Sequence, residues 1–233
     1  MFMRPISVAS ILVSALIVGA FVRAPLPGQA VNPRPASAHL VTTPAGLNGT
    51  AEYLASGSYT WVAPAGVRGV VLELWGAGGG GSRPYGYQSS GDGGGSGAYV
   101  RSVVAVQPGA SYLLTVGAGG FGGAYPAPFG TPGEVGGATT FADAAGQVLV
   151  WAGGGYGGND ANDGHGGPVD PSAQIGRVGR DGGHGFGVTP GSGGKAWIGS
   201  LEPVTALVGG HGGVGQVNAS GADGSPGYAI LLW

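Results

Sequence analysis

Val70-Val71-Leu72-Glu73-Leu74-Trp75-Gly76-Ala77-Gly78-Gly79-Gly80-Gly81 joins two kinds of chain without a polar break between them. The first half is β-branched, leucine-rich and aromatic, which reads as a strand. The second half is almost bare backbone. The same junction recurs at Leu114-Thr115-Val116-Gly117-Ala118-Gly119-Gly120 and at Val150-Trp151-Ala152-Gly153-Gly154-Gly155. The chain's 55 glycines are concentrated in residues 76–97, 117–137, 153–199 and 209–227, each stretch following a short apolar run. A flexible linker would be rich in glycine and serine throughout. Alternation with strand-like segments predicts a folded object instead.

Composition narrows the class. Of 233 residues 42% are hydrophobic and 9% charged, against roughly 25% charged in an average soluble domain. The length suits one ordinary domain. Nine Lys+Arg against eleven Asp+Glu give a net charge of −2, and eight of the nine cations are arginines spaced singly along the chain. No basic stripe is present to neutralise phosphates, so no nucleic-acid partner is expected. Cysteine is absent, which excludes disulfides, thiolate metal sites and cysteine nucleophiles together.

The N-terminal region reads as a secretory signal peptide over residues 1–38. A short basic start is followed by an apolar core over 6–22 and by the small-residue cleavage site Ala36-Ser37-Ala38, with Gly28-Gln29-Ala30 as an earlier option. The apolar run also approaches the ~18 residues needed to span a bilayer, so a retained anchor is the alternative. No second run of spanning length follows, and no integral membrane domain is expected after cleavage. Residues 39–56, rich in Pro, Ala and Thr without periodicity, read as a linker. Order is expected from Gly57, which makes 57–233 the folded domain.

Within that domain Ser58-Tyr59-Thr60-Trp61-Val62 alternates, and Ala63-Pro64-Ala65-Gly66 is a turn, so the segment and the strand over 67–75 are expected to form a hairpin. A second hairpin is expected from strands at 98–106 and 111–116. Between them Pro108 supplies the fixed φ, and Gly109 the positive φ, of a type II turn over Gln107-Pro108-Gly109-Ala110. Further strands are predicted at 138–141, 147–152 and 227–233. No window carries a 3.6-residue apolar period with capping signals, so almost no helix is predicted.

The fold class these elements imply is all-β, a jelly-roll-like antiparallel sandwich. The glycine stretches lack the strict Gly-X-Y period of collagen, yet each buried N–H and C=O needs a partner. Chains without side chains can pair backbone to backbone in the extended conformation of three residues per turn. Packed polyglycine-II helices inserted between the strands are therefore expected, rather than more than a hundred residues of loop.

Trp61-Val62-Ala63-Pro64-Ala65-Gly66-Val67, Val71-Leu72-Glu73-Leu74-Trp75-Gly76-Ala77-Gly78-Gly79-Gly80, Gly95-Ser96-Gly97-Ala98-Tyr99-Val100, Val106-Gln107-Pro108-Gly109 and the junctions after Leu114 and Val150 follow one another in order. In this series the chain resembles the glycine-rich domain family over roughly 57–233. Relatives in that family include bacterial exported proteins and phage tail-tip adhesins with polyglycine sandwiches, and the ectodomain of anaplastic-lymphoma-kinase-type receptors looks similar. The resemblance implies a β scaffold carrying packed polyglycine helices. It implies no shared catalytic residues, and function transfers poorly within the family.

Motifs of reactive residues are weak. Gly117-Ala118-Gly119-Gly120-Phe121-Gly122 fits the dinucleotide fingerprint, but no helix follows it to receive a phosphate. Gly194-Lys195 is followed by Ala196, which excludes a Walker A loop, and no nucleophile elbow occurs. His165, His184 and His211 occupy separate glycine-rich passages, where they either share a layer and bind a metal or project singly into solvent. Asp160, Asp163 and Asp170 make one imperfect copy of a calcium-binding repeat, which needs more than one copy. The aromatics Tyr85, Tyr87, Tyr125, Phe129, Tyr156, Phe186 and Trp197 fall in glycine- and proline-rich connections, where they either plug gaps or form a binding surface.

The sequence therefore points to a non-enzymatic exported module at the cell surface or in the extracellular space, structural and adhesive. It needs no cofactor and would bind a surface glycan or protein through Tyr85, Tyr87, Phe121, Tyr125 and Phe129. No catalytic or metal residues are assigned. The alternatives are a secreted carbohydrate-active hydrolase using acids of the long glycine-rich tract, and a phage tail-tip adhesin, against which the export signal speaks.

Overall fold

The computed structural model describes residues 48–84, 90–124, 130–159, 164–186, 189, 191–197, 213–215 and 219–233, all within one compact unit spanning Leu40–Trp233. The described residues form strands without any helix. In chain order the strands are β1 (Thr50–Tyr53), β2 (Gly57–Val62), β3 (Gly69–Trp75), β4 (Tyr99–Ala105), β5 (Ser111–Val116), β6 (Thr139–Ala142), β7 (Val148–Ala152), β8 (Ile175–Arg177) and β9 (Tyr228–Leu232). They build two antiparallel sheets, β1-β9-β3-β4-β8 and β2-β5-β6-β7.

Alternation places the core. Val70, Leu72 and Leu74 of β3, Val100 of β4 and Ala229 and Leu231 of β9 turn one face of the five-stranded sheet inward. Trp61, Tyr112, Leu114, Val116, Phe141 and Val150 answer from the other sheet. Tyr112 and Phe141 stack at 5.2 Å, with Trp61 tilted against both at 5.9 and 6.1 Å. The opposite face of the five-stranded sheet is buried too. There Trp75 packs on Tyr99 and Tyr228, beside Ile230 and Leu232. Glu73, wholly buried on this face, sits across from Arg101 with 3.5 Å between Oε1 and Nε.

Strand positions follow the sequence, but neither predicted hairpin forms. The turn after β2 has its Val67 N–H→Pro64 O bond, and the 107–110 turn has Ala110 N–H→Gln107 O at 3.0 Å with Gly109 at φ 79°. Both turns carry the chain from one sheet to the other, because β2 pairs with β5 and β3 with β4. The hairpin that does form is β6-β7, closed by Asp143, whose Oδ1 accepts from the Ala145 and Gln147 N–H groups. Order also begins earlier than Gly57: β1 lies within the stretch read as linker, and pairs residue for residue with β9. Its short, mixed sequence becomes a strand because the edge of β9 is there to receive it.

At one end of the sandwich both sheets run on into glycine. β3, β5 and β7 continue into residues 76–83, 117–123 and 153–158, and residues 91–98, 130–137 and 219–227 return into β4, β6 and β9. A single hydroxyl ties the junction: Thr139 Oγ1 accepts from Gly117 N–H and donates to Trp75 O at 2.6 Å. Beyond it the bonding pattern changes from that of a sheet. In the 76–83 tract the N–H groups of Ala77, Gly80 and Arg83 donate to Gly137, Glu134 and Thr131. Those of Gly78 and Gly81 donate to Ser225 and Ala222, and those of Gly79 and Ser82 to Gly95 and Asp92. Carbonyls follow the same three-residue period, Ala77 and Gly80 accepting from Gly155 and Gly158, Gly78 and Gly81 from Gly120 and Gly123. A strand bonds to neighbours in one plane, whereas this tract bonds in every direction around its axis.

The 91–98 tract is a second centre. Its N–H groups reach Gly183 and Arg180, Gly213, and Tyr156 and Gly153, and its carbonyls accept from Gly164 and Gly167 and from Gly191 and Gly194. The outer tracts bond to one another in a closed circuit. Glu134 N–H→Phe121 O, Gly136 N–H→Gly155 O, Tyr156 N–H→His165 O, Gly182 N–H→Gly164 O, Gly183 N–H→Ser192 O, Gly215 N–H→Gly191 O, Ala222 N–H→Val214 O and Gly224 N–H→Gly120 O complete it. Residues 76–82 and 91–98 are buried along their whole length. Glycine is required there by space: a Cβ on Gly79 or Gly80 would run into the carbonyls of Tyr156 and Phe121. Where a central residue has a side chain it completes the lattice. Ser82 Oγ accepts from Asp92 N–H, Ser96 Oγ from Arg180 N–H, and Asp92 Oδ1 from Gly185 N–H.

Candidate interaction surface

Along several outer tracts a side chain recurs at every third residue. Ala118, Phe121 and Ala124 are the non-glycine residues of 117–124, Tyr156 and Asn159 of 153–159, His165 and Pro168 of 164–168. Successive outer tracts are bonded so that their outward residues fall at one level. Phe121 O accepts from Glu134 N–H at 2.7 Å, Val135 precedes Gly136, which bonds Gly155, and Tyr156 N–H reaches His165 O at 2.8 Å. Phe121, Val135 and Tyr156 are 65%, 57% and 48% exposed. Together they make a row across three neighbouring tracts, with the exposed Glu134 beside Val135. His165 and Asp181 prolong it with a polar end, their Nδ1 and Oδ1 3.8 Å apart, while the same Asp181 oxygen accepts from Gly166 N–H.

Of the residues the sequence singled out, Phe121 is on this row. Tyr85, Tyr87, Tyr125 and Phe129 lie outside the described residues, as do Asp160, Asp163 and His211. The described tract ends flanking the segments of those four aromatics lie together, with Arg83 N–H→Thr131 O at 3.0 Å and Thr131 Oγ1→Ala124 O at 3.1 Å. Tyr156 and Phe186 project into solvent, because the backbone closes the bundle without a plug. Val135 and Tyr156 escaped the sequence reading as partners of Phe121. The Gly154-Gly155-Tyr156 spacing would have found Tyr156, whereas Val135 follows Gly133-Glu134 and carries no such signal.

His165 and His184 face different acids. His184 Nδ1 lies 2.8 Å from Asp92 Oδ1, whereas His165 faces Asp181. Among the described residues no group of three or more His, Asp or Glu is placed to hold a metal. Asp170 closes a turn, its Oδ1 accepting from both N–H and Oγ of Ser172 and its Oδ2 from Trp151 N–H. The N–H groups of the 117–122 fingerprint are consumed by the lattice, Gly120 bonding Gly78 O and Gly122 the Asp223 carboxylate.

The cations look different in space than in sequence. Arg177, Arg180 and Trp197 converge, with the guanidinium carbons 5.0 and 4.1 Å from the indole ring. Trp197 is fixed by its Nε1–H→Val178 O bond at 2.7 Å and by the Trp75 indole, which donates to Trp197 O at 2.8 Å.

The order of strands and glycine tracts described above is matched by a family description, glycine-rich domain, over residues 54–230. The chain belongs to the glycine-rich domain family. Comparison with curated proteins finds no match. In this glycine-rich domain the central glycines lie inside the lattice, and the exposed row and the Arg-Trp cluster are carried by non-glycine positions.

Proposed function

We propose that this glycine-rich domain is a non-enzymatic, exported structural and adhesive module whose tracts are polyglycine-II helices inserted into a jelly-roll-like sandwich. It would bind a surface glycan or protein through its bundle. The three-residue period of donors and acceptors around the 76–83 tract supports the polyglycine-II reading, because that conformation repeats every third residue and has no internal hydrogen bonds of its own. The observation that carries the adhesive reading is the row Phe121, Val135 and Tyr156, exposed side chains held on a backbone that is hydrogen-bonded on both flanks. Aromatic anchors on a rigid support lose little conformational entropy when they bind. In this reading Tyr85, Tyr87, Tyr125 and Phe129 contribute to the same binding.

The described acids support a structural use over a hydrolytic one. Asp92, Asp143, Asp170, Asp181 and Asp223 each accept a backbone N–H. The test is a screen against glycan and protein arrays, followed by comparison of Phe121→Ala/Tyr156→Ala with His165→Ala/Asp181→Ala. Binding lost in the first pair at unchanged stability is the expected result. A hydrolytic activity, or binding lost only in the second pair, would replace the adhesive reading with a catalytic or metal-dependent one.

A further inference from the structure

On another part of the surface, Arg177 at the end of β8, Arg180 at the start of the next tract, and Trp197 form a cluster that the aromatic row does not include. The two guanidiniums share one indole ring at 5.0 and 4.1 Å, so they stand no more than about 9 Å apart. Both arginines are exposed, and neither meets a carboxylate among the described residues. Lys195 is exposed beside them, one residue beyond Gly194, which packs against the Arg180 carbonyl and bonds Gly94 O. Two exposed like charges on one ring repel weakly, and an anion beside them gains from both. The indole holds both guanidiniums against exposed surface, and a guanidinium fork suits two-point recognition of a carboxylate.

The surroundings narrow the anion's source. β8 is an edge strand of the five-stranded sheet, and Ile175 and Val178 are exposed next to the arginines. Among the described residues a ligand here meets the edge strand β8, the exposed Ile175 and Val178, and positive charges. Duplex nucleic acid, with one charge per ≈1.7 Å, calls for a longer basic track, and Arg101 is already committed to Glu73. A polymer with widely spaced carboxylates, many hydroxyls and apolar ring faces fits each part of this surface. The geometry points to this patch as a docking site for an acidic, uronate-bearing polysaccharide. Arg177 and Arg180 pair with its carboxylates, Lys195 adds a third cation, and Trp197 positions the two guanidiniums.

The experiment uses the full chain and polygalacturonate as probe, read by calorimetry or co-sedimentation at low and high salt, with neutral dextran and duplex DNA as comparators. The wild type is expected to bind polygalacturonate at low salt, more weakly at high salt, and not to bind dextran. Arg177→Gln/Arg180→Gln should weaken binding at least tenfold with an unchanged melting temperature. Arg180→Lys, which keeps the charge and loses the fork, should give an intermediate loss. Absence of wild-type binding, equal binding by the double glutamine variant, or tighter binding of DNA than of polygalacturonate would each overturn the assignment.

Discussion

Phe141 and Gly80 are both buried, for opposite reasons. Between the sheets the space is filled by side chains, and the aromatic set Trp61, Tyr112 and Phe141 closes it. In the bundle the space is closed by main chain, and Gly80 is buried because its carbonyl accepts from Gly158 and its N–H donates to Glu134 O. The sandwich is held largely by the hydrophobic effect and dispersion, which are non-directional and tolerate some repacking. The bundle is held by hydrogen bonds, each worth little net but expensive when broken and left dry. Removing atoms should therefore damage the first region, and adding them the second.

The largest effect is expected at Gly80→Ala. The added methyl collides with the Phe121 carbonyl, and relief requires separating tracts, which joins an overpacking cost of about 1–3 kcal/mol to about 1–3 kcal/mol for each buried group left unpaired. A loss of about 4 kcal/mol or more in denaturant melts is the expectation. A loss below about 1 kcal/mol would break the comparison, since the tracts would then behave as loops. Gly154, against which the Gly136 carbonyl sits, should respond in the same way to Gly154→Val, and far more than Gly57→Val.

Phe141→Ala, a deletion rather than an addition, is expected to cost about 3–5 kcal/mol through the cavity it opens. Phe141→Leu should recover most of that, whereas no side chain should be tolerated at Gly80. Gly109→Ala separates the two uses of glycine. Nothing lies within 4 Å of its would-be Cβ, but φ is 79°, so only backbone strain of about 1–2 kcal/mol is expected.

The smallest effect concerns the outer face of the five-stranded sheet. Burial, with Glu52 and Glu73 nearby, pushes the Tyr228 hydroxyl well above its ordinary value of 10.0. The folded state then holds that proton when the unfolded chain has released it. Stability from this group is thus complete below about pH 10 and falls as pH rises above it. Tyr228→Phe should lose about 1 kcal/mol at neutral pH with its Oη–H→Glu52 bond, and its melting temperature should fall less steeply than wild type above pH 10.

Much of this was legible locally. The strands β3, β5, β7 and β9 and the Pro108-Gly109 turn follow from β-propensity and from φ preferences that each residue carries with it. Sheet membership was not, because a turn of given type can close a hairpin or pass between sheets, and the decision rests on partners far along the chain. Thr50–Tyr53 and Ile175–Arg177 are strands only because an edge receives them. Phe121 was legible as an exposed aromatic beside glycine, whereas its row with Val135 and Tyr156 depends on which tracts adjoin.

By itself, then, the sequence determined that the chain is β-rich, with almost no helix expected, and interrupted by bare backbone, since propensity and steric freedom are properties of single residues and their neighbours. Tertiary structure decided which glycine N–H meets which carbonyl, because glycines are chemically identical along a tract and only the packing of the whole lattice distinguishes them. It decided the placement of charge for the same reason. Arg177 and Arg180 lie on one segment and Trp197 on another, and the packing of Gly194 on the Arg180 carbonyl brings the indole to the two guanidiniums.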